Sequence, residues 1–196
     1  MLFNLLSTQS VAVAMPAARP VEDSLVLQIA EGNKEALATL YTATKSAVYG
    51  FALSILKNPH SAEDVMQETY LHIYQNAYWY RPQGKPMAWI FTIVRNLALM
   101  KLRDESARET PTDLELLPET SQDKTQDSLN RMMLRAALKI LSDEERQIVI
   151  LFSVSGLKHR EIAEILHIPI STELTKYHRA LNKLKNHLQK EDENNA

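Results

Sequence analysis

Residues 160–185, "REIAEILHIPISTELTKYHRALNKLK", contain two amphipathic segments that meet at the sequence HIP. Apolar residues of the first segment recur at the spacing of one helix face, and the small Ala163 stands where two helices would cross closely. Pro169 ends the turn, after which Ser171 or Thr172 can cap a second helix. The pattern fits a helix-turn-helix that binds DNA, and also an ordinary helical hairpin with a solvated face.

The second of these helices is strongly basic, because residues 171–190 contain five basic side chains and one acidic side chain. Its polar and basic residues fall mostly on the side opposite Tyr177 and Leu184. They are Thr172, Thr175, Lys176, Arg179 and Lys183. A basic helix face is usually only solvated, but the short turn, the small Ala163 and the polar first turn together favour insertion into the major groove of duplex DNA.

The composition predicts an all-α fold. The chain has 196 residues, 45% of them apolar, which suffices for one medium domain or two small ones. Glycine is scarce, with four residues, and good helix formers are common. The absence of cysteine excludes disulfides, cysteine-ligated zinc and thiol nucleophiles, and is compatible with a reducing cytoplasm.

The charge of the chain is unevenly distributed, although its formal net charge is only −2. Residues 1–107 are balanced, residues 108–127 carry a net charge of −4, residues 128–190 carry +5, and residues 191–196 carry −3. A basic block beside an acidic spacer indicates that one part of the chain meets an anionic partner.

Residues 1–21 are predicted to form an N-terminal extension. They contain no Lys or Arg before Arg19, so the basic region of a signal peptide is missing. No window of the chain reaches the ~18 uncharged apolar residues that a membrane span requires. We therefore expect a cytoplasmic protein without membrane insertion.

Residues 22–107 are predicted to form a first helical domain. Periodicity and turn signals place its helices at residues 23–33, 34–58, 61–77 and 87–107, with Ser61 as the cap of the third. The stretch between the last two helices, "YWYRPQGKP", is rich in turn-forming, aromatic and basic residues.

Residues 108–127 are predicted to be a flexible acidic linker, since they contain two prolines, six acidic residues and no apolar stripe. Residues 128–190 are predicted to form a second, four-helix domain that ends in the helix-turn-helix. Within it, Ser142 and Glu145 have the spacing of a capping box, and Gly156 ends that helix. Residues 191–196 form an acidic tail.

Two surfaces of the first domain are candidates for binding. Asp64, Gln67, Glu68 and Leu71 share one side of a helix, which is either a solvated acidic face or a protein-docking face. The loop and helix that follow interleave aromatic rings with cations, a combination that suits single-stranded nucleic acid. Most of the aromatic and aliphatic residues of the helix around Trp89 are nevertheless expected to be core.

Three stretches, "AEDVMQETYLHIY" (62–74), "KPMAWIFTIVRNLALMKLR" (85–103) and the long block 141–185, resemble the two conserved blocks of bacterial sigma factors of the extracytoplasmic-function group. The resemblance covers residues 22–190. Two blocks in the right order, with an acidic linker between them, are far more specific than a lone helix-turn-helix. The resemblance implies a transcription initiation factor that binds core RNA polymerase and promoter DNA, and it suggests an anti-sigma factor as a further partner.

The resemblance also implies roles for individual residues. The first domain would dock on polymerase through Asp64, Gln67, Glu68 and Leu71. With the loop at residues 76–85, here called the capture loop, it would hold the single-stranded form of the downstream (−10) promoter element. The helix that follows would melt the element and bind the strand. The implied residues are Asn76, Tyr78, Trp79, Arg81, Lys85, Arg95, Asn96, Lys101 and Arg103. The second domain would bind the upstream (−35) element as duplex. The resemblance places Ser171, Thr172, Thr175, Lys176, His178 and Arg179 on its recognition helix, and the cations Lys158, Arg160 and Lys183 are further candidate contacts to the duplex.

Two residues depart from the family pattern. His167 occupies a turn position that the family often fills with glycine, so a non-glycine residue is asked for a left-handed conformation. Glu173 occupies a position where the family has Val or another apolar residue facing the core. Its burial would be costly without a partner, although an acid in the first helical turn gains from the helix dipole.

Three alternatives to a sigma factor are open from the residues alone. An enzyme is disfavoured, because the six histidines form no HExxH motif, the carboxylates form no catalytic pair and no glycine-rich phosphate loop is present. We expect no catalytic residues, cofactor or metal. A regulator with an N-terminal sensing domain and a helix-turn-helix for duplex DNA is the main alternative, and a protein-interaction module such as an anti-sigma antagonist is the third.

Overall fold

A computed structural model describes residues 21–106 and 140–194 of the chain. Every regular element in these two ranges is helical, and together they confirm the all-α prediction of two helical domains. The first range contains α1 (Asp23–Ala30), α2 (Lys34–Leu56), α3 (Pro59–Asn76), a 3₁₀ turn (Ala77–Trp79) and α4 (Pro86–Ser106). The second range contains α5 (Asp143–Ser153), α6 (His159–Leu166) and α7 (Ile170–Asn194). The predicted linker, the first helix of the second domain and the N-terminal extension lie outside the described residues.

Helix α2 is the centre of the first domain and contacts α1, α3 and α4. Apolar residues recur along it at spacings of three and four, and Leu40, Val48 and Phe51 are fully buried. The rings of Phe51 and Phe91 meet edge to face, with centroids 5.4 Å apart. Complete burial of each such side chain contributes about 1.5–3 kcal/mol to folding. The apolar residues of α4 are therefore mainly core, as their sequence pattern predicted.

The junction between α2 and α3 differs from the sequence prediction, which gave the cap of α3 to Ser61. Asn58 is the cap: its side-chain oxygen accepts from the backbone N–H of Ser61 at 3.0 Å, and Pro59 is already inside the helix. Proline suits the first turn, because its fixed φ is helical and its missing N–H would have had no partner inside the helix. Lys57 closes the preceding helix in a left-handed conformation, with φ of 58°.

The second domain begins with the capping box that its sequence predicted. The backbone N–H of Glu145 donates to the hydroxyl of Ser142 at 3.4 Å, and the backbone N–H of Ser142 donates to the Glu145 carboxylate at 2.9 Å. Gly156 follows the helix with φ of 67°, a conformation that favours glycine.

The two domains are in contact with each other. Helix α2 packs on α5, α4 packs on α6, and their buried apolar residues form one continuous cluster. Nζ of Lys57 lies 2.8 Å from Oδ2 of Asp143 across this junction. The contact places the turn after α3 beside the helix-turn-helix.

Candidate nucleic-acid interface

The four residues on α3 that were predicted to bind polymerase lie on one exposed surface. Asp64, Gln67, Glu68 and Leu71 are all exposed, whereas Val65, Thr69 and Ile73 on the opposite side are buried. Leu71 is 56% exposed, an unusual position for a large apolar side chain next to two acids. This exposed acidic face with one apolar residue is here called the α3 face.

The capture loop presents two aromatic rings to solvent. Tyr78 and Trp79 are 74% and 69% exposed, and their ring centroids lie 5.4 Å apart in an edge-to-face arrangement. Arg81 and Lys85 of the same loop are also exposed, while Asn76 is half-buried and donates to the carbonyl of His72 at 2.9 Å. Exposed rings beside cations are the elements of a site on which bases stack and phosphates are neutralised.

The next residue, Tyr80, points the other way and anchors the loop. It is buried, its ring lies 4.9 Å from that of Trp89, and its hydroxyl donates to Asp23 at the start of α1. Burial, and then the hydrogen bond to the Asp23 carboxylate, raise the pKa of Tyr80 far above its usual range. Asp23 had no predicted role, because no local pattern joins residues 57 positions apart.

Helix α4 carries four of the predicted single-strand contacts in different environments. Asn96 is exposed, and Arg95 is half-buried, with a pKa that burial lowers. Nζ of Lys101 donates to Oδ2 of Asp64 at 2.9 Å, and this bond raises the pKa of the lysine. Nε of Arg103 donates to the carbonyl of Leu99 at 3.2 Å, within the same helix. The Lys101–Asp64 pair joins a predicted DNA contact to a predicted polymerase contact.

A cleft of about 370 Å³ separates the capture loop from α6 of the second domain. Nζ of Lys85 lies 3.9 Å from Oε2 of Glu164 across it, and Nε of Arg160 lies 3.3 Å from the other oxygen of the same carboxylate. The capture loop and the helix-turn-helix are therefore neighbours in this arrangement, and two predicted DNA-binding cations share one acid.

The turn of the helix-turn-helix is built around His167. This residue has φ of 55° and ψ of 43°, the left-handed conformation that the sequence led us to expect. The N–H of Ile168 donates to the carbonyl of Ala163 at 3.1 Å, which closes α6. Helix α7 begins at Ile170, so Ser171 and Thr172 lie in its first turn, and the prediction that one of them caps the helix was wrong. The carbonyl of Pro169 accepts the N–H groups of Thr172 and Glu173 instead, each at 3.0 Å.

The predicted duplex contacts on and before α7 lie in different environments, and one of them, Arg160, is paired with Glu164 as described above. Exposed side chains without an acidic partner in the described residues are Lys158, Ser171, Thr175, His178 and Arg179. Lys176 and Lys183 differ from these: Nζ of Lys176 donates to Glu144, and Nζ of Lys183 donates to Glu145 at 2.7 Å. Thr172 is half-buried. Arg179 is therefore better placed to contact an external phosphate than Lys176 or Lys183, whose ammonium groups already bond to acids of α5.

Glu145 explains why Lys183 is held inward. Its carboxylate is almost completely buried and belongs to the capping box of α5. Burial would raise its pKa, but the bonds from Lys183 and from the backbone and hydroxyl of Ser142 together lower it below the ordinary value of 4.5. Lys183 is therefore a partner of a buried acid that fixes α7 against α5.

Glu173 faces the core, as the sequence indicated, and the structure identifies its partner. Its side chain is fully buried, and Nδ1 of His159 donates to its Oε1 at 2.9 Å. The His159 ring stacks on Phe152, with centroids 4.5 Å apart, and meets Tyr177 edge on. Burial, and then the nearby Glu173, raise the pKa of Tyr177. The acid thus joins the first helix of the motif to the second.

Residues 21–106 and 140–194 contain no group of three or more His, Cys, Asp or Glu side chains that could hold a metal ion. In the same two ranges, no helix combines the length and the apolar character needed to cross a membrane.

Both halves of the chain match families of known proteins. Residues 40–108 match the family model of sigma-70 region 2, and residues 131–184 match that of sigma-70 region 4. The chain is 30% identical over 182 residues to an ECF RNA polymerase sigma factor, SigK, of Mycobacterium sp. (strain KMS), covering 89% of this chain and 94% of that protein. SigK of Mycolicibacterium vanbaalenii is 29% identical over 176 residues, with 84% of this chain and 90% of that protein covered.

Two solved structures share the fold. One is CnrH in complex with the cytosolic domain of CnrY, with a TM-score of 0.59, 21% identity, and coverage of 86% of this chain and 97% of that one. The other is the sigma factor RpoE in complex with the anti-sigma factor NepR from Bartonella quintana, with a TM-score of 0.58, 24% identity, and coverage of 78% and 96%.

Proposed function

Because the chain belongs to the extracytoplasmic-function RNA polymerase sigma factors, we propose that it uses three exposed surfaces in promoter recognition. They are the α3 face, the capture loop together with α4, and helix α7. The protein is a transcription initiation factor that directs core RNA polymerase to promoters. In the proposal, residues 22–107 form the domain that binds polymerase and the −10 element, and residues 128–190 form the domain that binds the −35 element.

The α3 face is the proposed polymerase contact. Its two acids and Leu71 offer a partner both charge and one apolar anchor, and truncation of such an anchor commonly removes a large share of the binding energy. The bond between Asp64 and Lys101 would have to be shared or exchanged when polymerase docks. A polymerase that binds Asp64 would therefore act directly on a lysine of α4, the helix proposed to bind the single strand.

The single-stranded −10 element is proposed to bind the capture loop and α4. Tyr78 and Trp79 supply stacking surfaces, each worth about 1–3 kcal/mol per base, and Arg81, Arg95 and Asn96 supply polar contacts to the strand. The exposure of Tyr78 and Trp79 side by side is the observation that carries the proposal. A regulator that binds only duplex DNA has no use for two solvent-exposed rings in its first domain, so that alternative is not favoured.

The duplex −35 element is proposed to bind α7. The first turn of α7, with Ser171 and Thr172, would approach base edges in the major groove, and Arg179 would contact phosphate. Lys158 lies directly before the first residue of α6, and from there it could contact the phosphate backbone of the same duplex. Lys176 and Lys183 would join only by leaving their acidic partners on α5.

The remaining proposals concern setting and partners. We place the protein in the cytoplasm, where bacterial polymerase meets the chromosome, and assign it no catalytic activity or cofactor. An anti-sigma factor is a proposed partner, supported by the RpoE structure, in which a similar fold is held by one.

In vitro transcription tests the proposal. Core polymerase from the encoding bacterium is combined with the full chain and a pool of genomic fragments, and transcripts with defined starts that require the chain are expected. Transcripts from core polymerase alone that do not change when the chain is added would refute the proposed function.

A charge reversal on the α3 face tests the polymerase contact separately. Replacing both Asp64→Lys and Gln67→Lys should abolish binding to core polymerase while leaving the helix content, measured by circular dichroism, unchanged. The matched control is Glu63→Lys, an exposed acid of the same helix that lies beside Tyr49 of α2 instead. Equal loss of binding in the control would show that helix charge alone is responsible.

A further inference from the structure

The carboxylate of Asp23 joins the first turn of α1 to both sides of the turn that closes the capture loop. One of its oxygens accepts the hydroxyl of Tyr80, and the other accepts the backbone N–H of Gly84 at 2.7 Å. Gly84 has φ of 68°, a left-handed conformation in which glycine is favoured. Between the two anchors, residues 81–83 are exposed.

These bonds act on the two exposed rings through the backbone. The N–H of Tyr80 also donates to the carbonyl of Ala77 at 3.0 Å, so the short segment that carries Tyr78 and Trp79 is bounded on one side by α3 and on the other by the fixed Tyr80. The Tyr80 ring is wedged against Trp89 of α4. Tyr78 and Trp79 are themselves largely exposed, and the 3₁₀ turn that carries them ends at this anchor.

The Asp23 carboxylate is better suited to anchoring the capture loop than to contacting nucleic acid. A negative charge would repel phosphate, and both oxygens of Asp23 are already engaged by donors of the loop. Hydrogen bonds to an ionised acceptor are roughly twice as strong as neutral ones. Stacking on an ordered ring also avoids the entropy of ordering it at the moment of binding.

We propose that Asp23 is the positioning residue of the capture loop, which sets the affinity for the single-stranded −10 element without touching it. This inference rests on the proposed function, because it assumes that the loop binds the single strand. It assigns to α1, a helix outside both predicted binding surfaces, the role of holding the loop in its binding conformation.

The test uses holoenzyme assembled from core polymerase and the full chain. The probe is a single-stranded oligonucleotide carrying the −10 region of a fragment that the wild-type holoenzyme transcribes. Asp23→Ala should weaken its binding about 5- to 50-fold, the effect of losing hydrogen bonds to a charged acceptor. Tyr80→Phe, which removes only the hydroxyl, should weaken it less, by about 3- to 10-fold. The matched control is Glu22→Ala, since Glu22 is an exposed neighbouring acid whose side chain, within the described residues, bonds to Ser24 and not to the loop.

A second measurement separates positioning from general destabilisation. In a background with both Tyr78→Ala and Trp79→Ala, Asp23→Ala should weaken binding less than about two-fold, because the rings that the anchor positions are already gone. Binding of core polymerase and of a −35 duplex should be unchanged in every Asp23 and Tyr80 variant. A purely structural defect would instead lower all three affinities.

The outcomes are distinct. If wild-type holoenzyme starts no transcript, the proposed function fails and this inference fails with it. If the wild type transcribes and both Asp23→Ala and Tyr80→Phe bind the oligonucleotide within two-fold of it, only the inference is overturned. If Asp23→Ala does not fold, Tyr80→Phe decides alone: weakened binding supports the anchor, and unchanged binding overturns it.

Discussion

Replacing His159 by alanine should destabilise the second domain far more than replacing its partner Glu173 by valine. His159→Ala leaves a fully buried carboxylate that has lost its one hydrogen bond, since Oε2 of Glu173 already has no partner in the described part of the chain. Removal of one member of a buried pair costs up to about 3–5 kcal/mol. His159 is 27% exposed, and water can therefore replace part of the lost bond. We expect a loss of about 2–4 kcal/mol.

Glu173→Val removes the buried acid itself. It loses one charge-assisted hydrogen bond, worth about 1.5–3 kcal/mol, and a helix-dipole contribution of about 0.3–1 kcal/mol. It also removes the desolvation penalty of the oxygen that has no partner, about 1–3 kcal/mol, and the partly exposed His159 can be hydrated by water. These terms nearly cancel, so the free energy of unfolding should change by less than about 1 kcal/mol.

The decisive measurement is a double-mutant cycle in denaturant unfolding of the full chain. Adding Glu173→Val to His159→Ala should restore stability, because the carboxylate that lacks a partner is then absent. The control is His178→Ala, which removes an exposed histidine of α7 and should change little. A His159→Ala variant within about 0.5 kcal/mol of wild type, or a double variant less stable than His159→Ala, would refute the reasoning.

Three other predictions concern the same domain. Arg179→Ala should weaken binding of the −35 duplex and flatten its salt dependence, since each lost phosphate contact releases about one counterion fewer; an unchanged slope would argue against a phosphate contact. The pKa of Glu145 is lower in the folded protein than its ordinary value of 4.5. The stability that the ionised Glu145 contributes is therefore complete above pH 4.5 and is lost as the pH falls below that value. Glu145→Gln should accordingly make the denaturant midpoint less pH-dependent between pH 5 and about pH 3 than it is in wild type. His167→Gly should raise stability by about 0.5–1 kcal/mol by relieving a left-handed non-glycine residue, and a lower denaturant midpoint would contradict this.

Interactions between residues a few positions apart could be predicted from the sequence. Ser142 and Glu145 are three residues apart, so their spacing alone specified the capping box that the structure contains. The left-handed turn at His167 was expected instead from the family pattern, which often has glycine at that position. The errors were also local: Ser61 and Asn58 are both good caps, and the proline between them favours the earlier one because it suits the first helical turn.

Periodicity determined which side of each helix is buried, but not what it meets there. It placed Glu173 inward, and only the packing of α6 against α7 brought His159 within 2.9 Å of it. It listed Lys183 among the DNA contacts, and only the packing of α5 against α7 engaged that lysine with Glu145. The partner of a buried charge is chosen by the crossing of helices, which the spacing within one helix does not encode.

By itself, the sequence determined the helices, their buried sides and the family, and it led to the surfaces proposed to bind polymerase and DNA, because these follow from local spacing and from two matched blocks. The tertiary structure alone decided which cations remain exposed, which acid holds the helix-turn-helix together and how the capture loop is anchored. Asp23 and Tyr80 are 57 residues apart, and their contact exists only because α1, α3 and α4 pack around α2. Long-range contacts of this kind are set by the packing of whole helices, and no short stretch of the chain specifies them.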